Sequence, residues 1–171
     1  MTDGATAPGS RGRLPDLGPR GEGWVIGQLA LLALLVVVSL PQLSTLWPAS
    51  GIGWARLAAG LVAIAVGGWL AVRGFTDLGN SLTPMPRPRA DGRLIESGIY
   101  ARLRHPIYAG LMLAGLGWSV VTASLPALLV ALLLAAFLDA KARREEAWLL
   151  DHYPGYADYR HRSKRFVPGI Y

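Results

Sequence analysis

The sequence predicts an all-α integral membrane protein with about four transmembrane helices. Three observations carry this. Charged residues are 16% of the 171 and hydrophobic ones 52%, where a soluble domain has roughly 25% charged. The charges are missing in blocks, with none in residues 23–55, 57–72 or 106–138. A helical span of the bilayer needs about 20 apolar residues, and the blocks supply that length. Two buried helices of a soluble core would be the other reading. Three such blocks in so short a chain would leave no polar surface.

Residues 1–23 read as a disordered cytosolic tail, polar and rich in Gly and Pro. They are too long for the basic start of a secretory signal, and the apolar run that follows is also too long. Residues 24–171 read as one membrane domain. The first block supplies a span at 24–46, with Pro41 and Gln42 near its far end, and the second a span at 54–75. The third block has 33 residues. As one helix it would reach roughly 50 Å, against roughly 30 Å of hydrocarbon. Ser124 offers an N-cap and Pro126 suits a first helical turn, so a hairpin of helices at 106–121 and 125–143 is expected.

Orientation follows from the basic residues. Of 17 Lys and Arg, three lie in 1–23, six in 73–104 and seven in 141–165, and Arg56 stands alone. The positive-inside rule puts both termini and the middle loop in the cytosol, with the protein in the cytoplasmic membrane. The short connections at 47–53 and 122–124 fall on the opposite side. The net charge of +6 then reflects topology and attraction to the membrane surface, and nucleic acid is not an expected partner.

The absence of cysteine excludes a disulfide, a thiolate nucleophile and an iron–sulfur site. His105, His152 and His161 have no metal-ligand spacing, so no metal is expected. There is no GxSxG and no Walker loop. Gly51-Ile52-Gly53 reads as a lumenal turn, and Gly115-Leu116-Gly117 as a close helix contact.

Chemistry is expected where Arg104-His105-Pro106-Ile107-Tyr108-Ala109-Gly110 enters the third block. Polar groups kept at the edge of a bilayer are usually there for function. Upstream, the alternating prolines of 80–88 favour an extended chain. Pro106 fixes a helix start and puts His105 near its N-cap, where free N–H groups favour a carboxylate. Gly110 would let a ligand or another helix approach closely. A second cluster, Lys141, Arg143, Arg144, Glu145 and Glu146, returns to the same surface. Tyr153, Tyr156 and Tyr159 follow at intervals of three, then several basic residues. That pattern suits an amphipathic helix in the interface. Its tyrosines are either an anchor or the wall of a pocket.

The motifs occur in order: Leu94-Ile95-x-x-Gly98-x-Tyr100, Arg104-His105-Pro106-x-Tyr108-x-Gly110, Glu145-Glu146-x-x-Leu149, Tyr156-x-x-Tyr159 and Arg165-Phe166-Val167-Pro168. Together they resemble the isoprenylcysteine carboxyl methyltransferase family, which is similar to the phospholipid methyltransferases. Residues 78–84 also resemble bacterial members, and the resemblance covers 78–168. Ile99 stands where many relatives have proline, and Tyr153-Pro154 where many have Phe-Gly.

The resemblance implies a membrane enzyme that transfers a methyl group from S-adenosylmethionine and has no Rossmann domain. The cytosolic loop and the C-terminal interfacial helix would form the cofactor pocket. Tyr100, His105, Tyr108 and Gly110 would hold the cofactor, and Leu94 and Ile95 would border its adenine. Glu146, with Glu145 beside it, would close the pocket and meet the methionyl ammonium. Arg104 would orient the acceptor. An acceptor carboxylate needs positioning more than acid–base help. An amine would need a base, for which Glu146 or His105 is the candidate. The family name implies a prenylated cysteine. A small isoprenoid or fatty carboxylate, a thiol, a phospholipid amine or another lipid-anchored substrate stays open. So do a non-catalytic scaffold and a reductase of similar membrane architecture.

Overall fold

A computed structural model describes residues 14–45, 50–83, 85–87 and 92–171. Expectations for 1–13, for the far end of the first span at 46, for the connection at 47–49 and for Pro84 and Pro88 lie outside the described residues.

Among the described residues there are five α-helices: α1 Glu22–Ser39, α2 Gly51–Leu78, α3 Pro106–Thr122, α4 Leu125–His152 and α5 Tyr156–Arg162. At Leu40–Thr45 α1 tightens into a 3₁₀ turn. Pro41 has no N–H to continue the α-helical ladder there. Ser50 caps α2, its hydroxyl accepting from the Gly53 amide at 3.3 Å. The residues Gly51 to Gly53, expected as a turn, therefore form the first turn of α2. The break in the third block falls where expected. Ala123 adopts a left-handed conformation, and Ser124 accepts from the Ala127 amide at 3.2 Å. Beyond the expected end at 143, α4 continues to His152. Residues 141–150 are mostly strong helix formers, so the helix persists after the apolar block ends.

The helices α1, α2 and α4 are long and apolar enough to cross a membrane, and α3 is a shorter apolar helix of 17 residues. Ile26, Val37, Val62, Trp69, Leu129 and Leu133 point outward from the three long helices. Such a surface suits lipid and not water. Among the described residues there is no extended strand, only one parallel bridge between Leu103 and Lys164.

Helices α2 and α3 pack through glycine. A Cβ built on Gly67 would lie 2.5 Å from the Gly110 carbonyl oxygen, and one on Gly117 would lie 2.7 Å from that of Gly60. The two backbones touch, as small-residue interfaces in membranes allow. On the other side α1 packs on α4, with Leu35, Ala127 and Ala131 as a buried cluster. The Trp118 indole N–H donates to Ser39 Oγ at 2.8 Å and ties α3 to α1. The order around the bundle is thus α2, α3, α4, α1. Helices α1 and α2 do not pack extensively on each other among the described residues, which leaves a slot between them.

Candidate active site

The charged end of the bundle encloses a cavity of about 460 Å³. Each bundle helix contributes to its wall, as do the segment 92–95 and the stretch from Tyr153 to Tyr159. Its lining includes apolar residues, Val25 and Leu29 of α1, Phe75 of α2 and Ile107 of α3. Leu29 and Phe75 are also 58% and 47% exposed, so part of the lining reaches the outer surface of α1 and α2. The lining also carries polar groups, among them Tyr100, His105, Tyr108, Glu145, Tyr156 and Tyr159.

His105 is the N-cap of α3, and Pro106 occupies its first turn. The His105 amide donates to the Arg165 carbonyl at 3.1 Å and so is not left for a ligand. Its ring stacks on that of Tyr108, with centroids 5.3 Å apart and planes 6° from parallel. The Tyr108 hydroxyl donates to Glu145 Oε2 at 2.8 Å, and His105 Nδ1 stands 3.8 Å from the same oxygen. These contacts fix Glu145 on the cavity wall.

Glu146 points elsewhere. It is absent from the cavity lining, and its carboxylate takes Arg104 Nε at 3.0 Å and Arg165 at 3.0 and 2.9 Å. His105 Nε2 lies 3.3 Å away. Arg104 also donates to the carbonyls of Arg160 and Ser163. Its guanidinium is thereby committed to holding α4, α5 and the segment after α5 together, although Arg104 still borders the cavity. The bond to Glu146 holds the Arg165 guanidinium above its ordinary pKa.

The remaining predicted residues divide. Leu94 and Ile95 border the cavity, as does the ring of Tyr100. The Tyr100 hydroxyl is occupied, donating to the Gly74 carbonyl at 3.2 Å. Gly98, just before it, has φ +61°, and a Cβ there would collide with the Asp77 carboxylate. Asp77 accepts from the Ile99 amide at 2.8 Å, which pins this turn to the end of α2. Gly110 does not line the cavity and serves the contact with α2. Of the two readings of the tyrosine stripe, the structure selects the pocket wall. Tyr153, Tyr156 and Tyr159 all border the cavity.

The Tyr159 hydroxyl donates to the Tyr100 carbonyl at 2.8 Å. Tyr156 is 1% exposed, and its hydroxyl has no hydrogen-bond partner among the described residues. Burial raises the pKa of the Tyr100 and Tyr156 phenols and pushes that of Tyr159 up to about 12.

Among the wall residues that sequence reasoning missed is Lys141. In sequence it sits among charged neighbours, yet it lies one turn before Glu145 and shares that helix face. Its ammonium donates to Gln28 Oε1 at 2.6 Å and sits 4.9 Å from the Tyr108 ring centroid. Residues 14–21, read as part of the tail, also reach this end of the bundle. Asp16 pairs with Arg144, and the Trp24 indole donates to the Pro15 carbonyl at 3.1 Å.

The fold resembles a solved membrane enzyme. A eukaryotic intramembrane Ras methyltransferase, isoprenylcysteine carboxyl methyltransferase, superposes with a TM-score of 0.64 and 20% identity, over 87% of this chain and 53% of that one. The fold is therefore that of a helical intramembrane protein of this kind. Residues 55–155 match the model of the phospholipid methyltransferase family, and the chain belongs to that family. The match begins within α2, upstream of the motifs that carried the resemblance. The cobalt-zinc-cadmium resistance protein CzcN of Cupriavidus metallidurans is 36% identical over 83 residues, 48% of this chain and 38% of that protein. The chain thus spans about half or less of the length of these two proteins.

Proposed function

We propose that this chain is an S-adenosylmethionine-dependent methyltransferase of the cytoplasmic membrane that acts on a lipophilic acceptor, first of all a carboxylate. One observation carries the reading. A single cavity is lined both by Glu145 with its polar neighbours and by Leu29 and Phe75 of two membrane helices, which are exposed on the outer surface as well. A soluble cofactor and a lipid tail could enter such a cavity from different sides.

The residues fit the cofactor. Glu145 is a carboxylate held facing the cavity, suited to the methionyl ammonium. The orphaned Tyr156 hydroxyl suits a ligand rich in hydroxyls or ring nitrogens. Leu94 and Ile95 offer an apolar border for adenine. When bound, S-adenosylmethionine supplies a methyl group on a sulfonium, which an ionised acceptor oxygen can take without a base.

This chain's part is then to align acceptor and donor and to keep water out, which can account for several orders of magnitude in rate. Arg104 and Glu146 act as positioning residues. Their ion pair holds His105, and through it Tyr108 and Glu145, in place. A phospholipid amine is the second reading, favoured by Glu145 facing the cavity with Tyr108 and His105 beside it. That trio could accept a proton that a carboxylate acceptor does not carry.

The test is thermal stabilisation of the full chain in detergent by S-adenosylhomocysteine, with NADPH alongside. At a hundredfold excess over Kd, stabilisation of about 2.7 kcal/mol is expected. Stabilisation by NADPH alone would overturn the reading in favour of a reductase, and by neither in favour of a scaffold. Labelled methyl transfer to fatty carboxylates, isoprenoid thiols and phosphatidylethanolamine then ranks the acceptors.

A further inference from the structure

A second cavity, of about 610 Å³, shares only Arg104 with the candidate active site among the described residues. Arg104, Arg160, His161, Lys164 and Arg165 line it, and among the described residues no acidic side chain does. Two of these cations are already paired. Arg104 and Arg165 take Glu146, and Arg165 also takes Asp139. The others are not. Arg160 comes no nearer to Glu146 than 3.8 Å, and its side chain is 48% exposed. Lys164 and His161 meet no acid within ion-pair distance among the described residues. The main-chain oxygen of Tyr171 accepts from the Phe166 and Val167 amides at 2.7 and 2.6 Å.

The backbone under these cations is held in place. Arg104 donates to the carbonyls of Arg160 and Ser163, and the Lys164 amide donates to the Arg102 carbonyl at 2.9 Å. Arg160 and Lys164 are thus presented from a fixed stretch, with their charged ends left for a ligand.

The position of the cavity favours one kind of ligand. Helix α4 carries no charge before Asp139. Asp139 accepts from the Tyr171 hydroxyl at 3.1 Å and from Arg165 at 3.2 Å. The segment that closes the cavity therefore rests on α4 where its apolar run ends, which is the depth of lipid headgroups. In that segment Ile170 is 78% exposed and Val167 44%. Apolar side chains standing clear of the protein at this depth suit lipid, and cations without acids suit a phosphate. A soluble anion would use the cations and leave the apolar side chains without a partner.

We infer that this cavity binds the headgroup phosphate of an anionic phospholipid, with Arg160 and Lys164 as its cations and Val167 and Ile170 against the lipid. The inference does not depend on the proposed function. It places a lipid one side chain away from the candidate active site, because Arg104 lines both cavities.

The experiment titrates the full chain in non-ionic detergent with dioctanoyl phosphatidylglycerol, dioctanoyl phosphatidylcholine and inorganic phosphate, read by calorimetry. Wild type is compared with Arg160→Gln, Lys164→Gln and Arg102→Gln. Arg102 is exposed and lies outside the lining, so it reports on surface charge alone.

Wild type should bind phosphatidylglycerol about tenfold or more tightly than either other probe. Arg160→Gln and Lys164→Gln should each lose about fivefold for phosphatidylglycerol, and Arg102→Gln less than about twofold. Without lipid all four proteins should melt alike. Equal affinity of wild type for the two lipids, or no binding of either, would overturn the inference. So would inorganic phosphate binding as tightly as phosphatidylglycerol, which would mark a site for soluble anions. Cavity variants that bind like wild type, or that lose no more than Arg102→Gln, would overturn it as well.

Discussion

Arg104 donates from Nε to Glu146 Oε1 at 3.0 Å, across 42 residues of sequence. Both side chains are buried, and the Glu146 carboxylate also receives Arg165. One acid therefore takes two guanidiniums, and the three groups come from three separate stretches of chain. Glu146→Ala should leave Arg104 without its acid, while Arg165 keeps Asp139 at 3.2 Å. A loss of about 3–5 kcal/mol in stability is expected, because breaking a buried pair strands a charge. Thermal unfolding in detergent measures it, and a wild-type melting point would show that the network contributes nothing.

The neighbouring acid should behave in the opposite way. Glu145→Gln keeps the shape and removes a charge that faces the cavity. Affinity for S-adenosylhomocysteine should fall by about 10- to 150-fold while the melting point moves little. Titration calorimetry on both glutamate variants separates the roles. Equal effects of Glu145→Gln and Glu146→Ala on affinity and on melting would contradict the division.

Gly110→Leu should part α2 from α3. Even the first added carbon meets the Gly67 carbonyl and Ala71. Overpacking costs typically about 1–3 kcal/mol, and more where backbone must move. Since Gly110 stays out of the cavity, the cofactor affinity of the folded fraction should stay within about threefold, against the roughly tenfold that one lost contact would cost. Loss of affinity without loss of stability would return Gly110 to the binding site.

Alkaline pH should destabilise the protein through its buried phenols. Tyr159 is pushed up to about 12, mainly by burial. In the unfolded chain a tyrosine ionises near about 10. The native state holds the proton longer, so this contribution is whole below about pH 10 and is lost as pH rises towards 12. Melting points taken through that range should decline, and Tyr159→Phe should decline less steeply. Identical slopes would remove Tyr159 from the explanation.

Orientation can be checked by fusions. With four spans and cytosolic ends, a reporter after Tyr171 should be active only in the cytosol, and one inserted at Ser50 only on the far side. A far-side signal from the Tyr171 fusion would refute that arrangement.

The membrane helices were legible in the sequence because the bilayer imposes a long apolar run that composition reveals directly. The break at Ser124 and Pro126 was legible too, since capping is a local property. The site was legible only as a set of segments. Glu145 and Glu146 are adjacent, and their different fates depend on neighbours from α3 and from beyond α5, which no local pattern encodes. For the same reason Gly110 could equally have served a ligand or a helix, and Gly67, 43 positions earlier, decided it. Lys141 was hidden by its surroundings. Among Arg143 and Arg144 it resembles a solvated charge, and only the approach of Gln28 marks it as buried.

The parallel bridge between Leu103 and Lys164 has a consequence for biosynthesis. The Arg104 amide donates to the Lys164 carbonyl at 2.7 Å, and the His105 amide to that of Arg165. Residues 164–165 leave the ribosome after α1 to α4 have been made. Until they do, the segment before α3 lacks its backbone partners and Glu146 lacks Arg165. A nascent chain that already holds the four bundle helices therefore still lacks the backbone bonds that fix Arg104 and His105 beside the cavity.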